Sequence, residues 1–296
     1  MKNNISFPKI KGKVVFDEPL SRHTTFRVGG RCMAWCVPES EKDLKCILNF
    51  ARKKKKKIFL MGMGSNVLCG DNGFKGFVAH LGHENFRKII FSGNKIISGA
   101  GVSLNYLIDF LCRKGHSGLE GLAGIPGSLG GAIYMNAGYK GNISDSLESV
   151  RVMDKKNLRV RDIKKKNIAF GYRHSNLSGY IILEGTFRLK REDKKTLLKR
   201  KKEYMKMRKR EQPAGLPNAG CVFKNPEQNI PAALLIEMLG LKGKRIGGAE
   251  VSMKHANFII NAKNAKAADI KRLIDLIRKK VKSNFHMNLG LEIITL

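Results

Sequence analysis

GLEGLAGIPGSLGGAIYMNAGYKG, residues Gly118–Gly141, is rich in Gly and Ala, holds one Pro and carries almost no charge in a chain otherwise crowded with lysine. Glycine costs backbone entropy, so a cluster of it belongs where the chain turns at φ > 0 or where main-chain N–H groups close on a ligand. Pyrophosphate suits such a loop. A shorter run, LMGMGSNVLCG from Leu60 to Gly70, follows an apolar strand-like segment and offers backbone donors together with the Ser65 hydroxyl and the Asn66 amide. Two loops of this kind point to a dinucleotide. The alternative, that these glycines make only tight turns and close packing, stays open at this point.

Neither loop has the commonest nucleotide signatures. Gly127-Ser128-Leu129-Gly130-Gly131 lacks the Lys and Ser/Thr that a phosphate-binding kinase or ATPase loop places straight after its last Gly. Gly62-Met63-Gly64 opens like a Rossmann fingerprint, but Val67 stands where the third Gly belongs. A dinucleotide held by another fold remains.

At 296 residues the chain can bury a substantial core and form two domains, or one large domain with an appendage. Its six cysteines form no C-x-x-C pair, and the start MKNNISFPKIKGK has no apolar core of the signal-peptide kind. No stretch approaches the roughly 20 apolar residues of a membrane span. The expected location is the cytoplasm. A net charge of +33, from 57 basic and 24 acidic residues, invites a nucleic-acid reading. The charge is spread along the chain, however, and no aromatic residues interleave with Arg in its dense runs at 52–57 and 194–210. Neither a nucleic-acid nor a membrane partner is expected, and a monomer is favoured. His80-x-x-His83-Glu84 reads as a turn rather than a metal site.

The segments alternate as an α+β fold with mixed sheets. A capping-box pattern at Ser40–Asp43 and an apolar stripe of Leu44, Ile47, Leu48 and Ala51 predict a helix from Glu41 to Lys54. Strands are predicted at 57–62, 77–81, 95–99, 149–154, 158–162 and 181–190, with a helix capped by Ser103 and closed by Gly115. A basic helix over 192–212 ends at Pro213, where a domain junction is placed. Beyond it come a helix between Pro231 and Gly240, a strand at 257–261, an amphipathic helix at 265–285 and a final strand at 291–296.

In this order the blocks Thr24–Gly30, Gly62–Asn66, Gly118–Gly138, Phe170–Arg173, Asn218–Pro226, Lys242–Ala249, Lys254–Phe258 and Leu291–Ile293 closely resemble the UDP-N-acetylenolpyruvoylglucosamine reductases, also called UDP-N-acetylmuramate dehydrogenases. The resemblance implies a two-lobed FAD domain of the vanillyl-alcohol-oxidase type over 1–190, with lobes 1–70 and 71–190, a connector at 191–212 and a smaller α+β substrate domain at 213–296. It implies non-covalent FAD held at Arg27, Gly29, Gly62, Gly64, Ser65, Asn66, Gly124, Ile125, Pro126, Gly127, Ser128, Gly131, Ala132 and Asn136. NADPH is the implied hydride donor, and the implied substrate is a UDP-sugar of peptidoglycan precursor synthesis. That substrate would meet Tyr172, Arg210, Lys224, Asn225, Lys242 and His255. The short stretch from Arg173 to Ile181 resembles the family's second type, so Tyr180 is not given the role of the loop tyrosine found in the other branch.

Three residues are implied to carry the chemistry. Arg173 matches the family's catalytic arginine, whose planar fork suits a carboxylate gaining charge, although alone it reads as a surface Arg. Glu292, an acid between Leu291 and Ile293, would work beside it with a raised pKa, or else is an edge-strand charge. Cys221 stands where many members have Ser as proton donor; a thiol, of ordinary pKa about 8.5, keeps that role chemically sound, whereas a buried inert cysteine is the plain alternative. Ile294 departs from the Arg that many relatives carry near this point. Sugar or aldonolactone oxidases on the same scaffold often tether FAD through a His in the first glycine loop, where this chain has Asn66.

Overall fold

A computed structural model describes residues 7–227 and 230–296, so the first six residues of the N-terminal stretch lie outside the described residues. The chain divides into two compact units: residues 1–18, 32–62 and 75–201 form one, and residues 19–31, 63–74 and 202–296 the other.

The first unit is built on two sheets. One has the strand order Lys13–Pro19, Arg31–Val37, Phe74–Ala79, Lys57–Leu60, its last pair parallel. The other is antiparallel, in the order Val160–Lys164, Leu147–Asp154, Tyr180–Arg188, Lys95–Gly99, Ile89–Ser92. Helix α1 (Glu41–Lys53) buries the expected stripe of Leu44, Ile47, Leu48 and Ala51. Ser40 Oγ accepts from the Asp43 N–H at 3.2 Å. Asp43 itself departs from a capping box: its carboxylate takes the amides of Gly12 (2.8 Å), Glu39 (3.0 Å) and Lys11 (3.2 Å). Burial pushes this carboxyl up, the three N–H donors push it down harder, and the net shift is downward.

Helix α2 (Leu104–Arg113) buries Leu104, Leu107, Ile108 and Leu111 in the larger core, which continues through α3 (Leu129–Tyr134) and α4 (Ile143–Ser146). Ser103 holds the cap position without the side-chain bond expected of it. The glycine run supplies the acceptor instead, since the Leu104 N–H donates to Gly127 C=O at 2.9 Å. The strand expected at 158–162 starts at Val160 because Leu158 adopts φ +59° in the preceding turn. Helix α5 (Lys194–Glu211) is anchored in this unit by buried Leu197 and by Arg200, which reaches the buried Glu120 at 2.7 Å.

In the second unit an antiparallel sheet in the order Asn218–Cys221, Phe258–Asn261, Ala249–Val251, Arg245–Ile246 lies with α6 (Ala232–Met238) and α7 (Ala267–Phe285) around one core. The final strand expected at 291–296 shrinks to Ile294–Thr295, paired in parallel with Val67–Leu68. Glu292 sits in a bend before it, because its N–H and C=O are engaged by Val222 and by the Asn66 side chain rather than by a ladder. Asp71, far off in sequence, caps α7 by accepting from the Ala267 and Ala268 amides at 2.8 and 2.9 Å. Replacing Asp71 with Ala is expected to destabilise this unit by about 1–2 kcal/mol, the usual value of a lost helix cap, read as a lower urea midpoint at unchanged slope.

Candidate functional site

In the first unit the parallel strand Lys57–Leu60 delivers the chain through Met61, whose N–H donates to Ala79 C=O at 3.0 Å, into the turn at Gly62. A Cβ on Gly62 would stand 2.3 Å from Ser128 Oγ, so only glycine allows the two loops this approach. Ser128 caps α3, its Oγ accepting from the Gly131 N–H at 3.3 Å, and Gly127 turns at φ +142°. Asn105 on α2 clamps the run from behind: its Oδ1 takes the Gly124 N–H at 2.7 Å and its Nδ2 donates to Ile125 C=O at 3.1 Å. The amides of Gly62, Gly127 and Ser128 show no hydrogen bond to other protein groups among the described residues. A rigid loop with uncommitted N–H donors fits the pyrophosphate of FAD, and Ala132 and Ile125 give its surroundings an apolar lining.

The same unit carries Arg173, at φ +53° on the tip of a hairpin formed by Phe170–Gly171 and His174–Ser175. Its Nη2 donates to Gly138 C=O at 3.0 Å, and its guanidinium lies 5.2 Å from the ring centroid of Tyr172, which is exposed. Asn136 Nδ2 donates to Gly171 C=O at 3.0 Å, and Ser175 Oγ to Tyr134 C=O at 2.7 Å. The hairpin is thus fastened to the end of the glycine run. Tyr180 stacks on Arg161, 5.1 Å from guanidinium to ring centroid.

The second unit carries the other two residues implied for the chemistry. Cys221 ends the strand Asn218–Cys221, and the next residue, Val222, accepts the Glu292 N–H at 2.8 Å. Asn66 holds the opposite side of that segment: its Nδ2 donates to Glu292 C=O at 3.1 Å and its own C=O takes the Ile294 N–H at 2.9 Å. Ile294 therefore enters by its backbone. Asn257 bonds Phe223 twice, Nδ2 to its C=O at 2.8 Å and Oδ1 from its N–H at 2.9 Å, which fixes the chain after Cys221. Thr25 Oγ1 donates to Asn218 C=O at 2.6 Å and its N–H to Gly64 C=O at 3.1 Å. Gly64 and Ser65 lie in this loop, while Arg27 (φ +57°, exposed) and Gly29 (φ +126°) follow Thr25.

The residues implied for substrate are mixed in their commitments. Lys242 Nζ pairs with Glu237 at 2.5 Å, Asn225 Oδ1 accepts from the Ala232 N–H at 3.1 Å, and the Lys224 N–H donates to Gly290 C=O at 2.8 Å. Arg210 is exposed near the end of α5. Burial pushes the His255 pKa down, so the ring is neutral near pH 7; its Nδ1 accepts from the Asn257 N–H at 3.2 Å, which leaves Nε2 as the donor. Among the described residues no group of three His, Cys, Asp or Glu side chains could hold a metal ion. His80 Nδ1 meets Met61 C=O at 3.0 Å and His83 Nδ1 caps a short turn. Sequence reading missed Asn105 and Asn257, which touch only backbone and so leave no motif-level trace apart from Asn257's place in the 254–258 block.

Known proteins agree with this architecture. Residues 34–161 match an FAD-binding domain model and residues 212–296 the C-terminal domain model of UDP-N-acetylenolpyruvoylglucosamine reductase. Reductases of that name from Desulforamulus reducens and Moorella thermoacetica are 42% and 41% identical over 287 residues, covering 96% of this chain and 94% and 93% of theirs. The crystal structure of the reductase from Thermus caldophilus superposes with a TM-score of 0.81 at 34% identity, over 97% of this chain and 99% of that one. The α+β fold with its FAD-binding domain, the flavin dependence and the oxidoreductase class are therefore those of an enzyme of peptidoglycan synthesis. With nearly the whole length of both partners aligned, the chain belongs to the UDP-N-acetylenolpyruvoylglucosamine reductase family.

Proposed function

We propose that the protein reduces UDP-N-acetylglucosamine enolpyruvate to UDP-N-acetylmuramate at the expense of NADPH, as a cytoplasmic monomer. FAD, bound without a covalent tether, would supply the redox chemistry there: a hydride from N5 for C3 of the enolpyruvyl ether, with NADPH as the reductant. The main-chain donors at Gly62, Gly127 and Ser128 hold its pyrophosphate, with Arg27, Gly29, Gly64, Ser65, Asn66, Gly124–Pro126, Gly131, Ala132 and Asn136 completing the contacts. Gain of hydride at C3 leaves an electron pair on C2, delocalised into the adjoining carboxylate. Arg173 holds that carboxylate and the charge that develops on it. Cys221 transfers its Sγ proton to C2, closing the balance with one C–H bond formed by hydride and one by proton. Glu292 works with Arg173 on the same substrate carboxylate. Tyr172, Arg210, Lys224, Asn225, Lys242 and neutral His255 meet the UDP-sugar, residues 213–296 forming the substrate domain and 1–190 the cofactor domain.

The observation that supports this reading is the backbone bond from Glu292 N–H to Val222 C=O, which joins the segment carrying the acid to the segment that follows Cys221, with Asn66 bonded to the Glu292 carbonyl. Purified protein is expected to show a flavin spectrum that acid or heat releases into solution. NADPH is expected to bleach it anaerobically and the enolpyruvyl UDP-sugar to restore it. A colourless protein, or a bleached flavin indifferent to that substrate, would overturn the reading.

A further inference from the structure

Asn136 closes the glycine run with its backbone at φ +44°, and only 6% of the residue is exposed. Its two side-chain atoms have different fates. Nδ2 donates to Gly171 C=O in the Arg173 hairpin, whereas Oδ1 is sealed from solvent and has no partner. A buried acceptor without a donor is costly and uncommon in folded proteins. Exchanging the two atoms does not help, since a carboxamide oxygen would then face the Gly171 carbonyl and the NH2 would be orphaned. Among the described residues one other buried side-chain atom lacks a partner, Ser98 Oγ, a rotatable hydroxyl inside the five-stranded sheet.

The loop amides at 62, 127 and 128 suit phosphate oxygens, but a bare carbonyl oxygen repels them. Oδ1 demands a donor. Resting on the flavin reading above, we propose that Asn136 is a positioning residue that joins cofactor to arginine: Oδ1 accepts from N3–H, the one ring donor of oxidised isoalloxazine, while Nδ2 holds Gly171. The strand beyond is secured by Ser175 Oγ on Tyr134 C=O, so the turn that puts Arg173 at φ +53° is pinned on both sides. Cofactor occupancy and the placement of the guanidinium are thereby linked through one carboxamide.

The test titrates apo-protein with FAD and with N3-methyl FAD, following quenching of flavin fluorescence. Methylation is expected to weaken wild-type binding about tenfold or more, the effect of an unpaired buried acceptor. Asn136→Gly, which keeps the left-handed backbone without strain, is expected to bind both flavins equally and more weakly than wild type binds FAD. Asn136→Asp and Ser175→Ala keep the acceptor and are expected to retain the methylation penalty; the latter also separates loss of the hairpin anchor from loss of the flavin contact. Wild type indifferent to methylation, or Asn136→Gly retaining the full penalty, would overturn the proposal. Failure of wild type to bind either flavin would instead overturn the flavin reading itself.

Discussion

Cys221→Ala is expected to slow the reoxidation of reduced flavin by the enolpyruvyl substrate by about 10²–10⁴-fold, the span of a positioned general acid, whereas Cys221→Ser keeps measurable turnover. The geometry behind this is local. Cys221 ends a strand whose next residues are held on one side by Asn257 and on the other by the Glu292 amide, so a side chain of similar size at 221 has its direction set by backbone rather than by its own chemistry. Ser preserves an O–H where the thiol had S–H; it is a far weaker acid, so turnover persists at a lower rate. Ala preserves the backbone and removes the proton. Single-turnover absorbance at the oxidised flavin band separates the outcomes, and equal rates for Ser and Ala would remove Cys221 from the proton step. Reduction by NADPH is expected to proceed normally in both variants.

Arg173→Ala is expected to cost about 3–4 kcal/mol of transition-state stabilisation, or roughly 10²–10³ in the same half-reaction. Lys at this position is expected to recover little. The guanidinium donates from Nη2 to Gly138 C=O and lies against Tyr172, and a planar fork presents five N–H groups in a fixed geometry that matches a carboxylate bidentately; an ammonium on a flexible stem has no such fork. Both variants carry the same backbone strain at φ +53°, so the comparison isolates the head group. If NADPH-driven reduction fell as far as substrate-driven reoxidation, Arg173 would be acting on the flavin rather than on the enolpyruvyl carboxylate.

Local signals carried well from sequence to structure where apolar periodicity and end signals agreed. The stripe of α1 is buried as read, and α7 buries Ile270, Leu273, Ile274, Ile277 and Val281 with Phe285 half-buried at its end, because four or more apolar side chains at helical spacing have one way to leave water. The short strands of the second unit, at 218–221, 245–246 and 249–251, escaped prediction. Segments of two to four residues offer too few alternations to show a period. Ser103 holds the cap position of α2 as read, but without a side-chain bond, and the acceptor for the Leu104 amide comes from Gly127, twenty-three positions on, which local sequence does not record.

The glycine runs and the matched family blocks are properties of residue type and order, and the sequence by itself determined them together with the flavin reading; the approach of Gly62 to Ser128, which a Cβ would obstruct, came only with folding. Tertiary structure alone decided that Glu292 leaves its expected strand for a bend, that Asn66 spends its amide on the Glu292 carbonyl, and that Asn136 divides its carboxamide between the arginine hairpin and an unmet acceptor. Each of these is a contest among buried hydrogen-bonding groups. Its winner depends on which donors and acceptors folding brings within 3 Å of one another, and linear spacing carries no record of that distance.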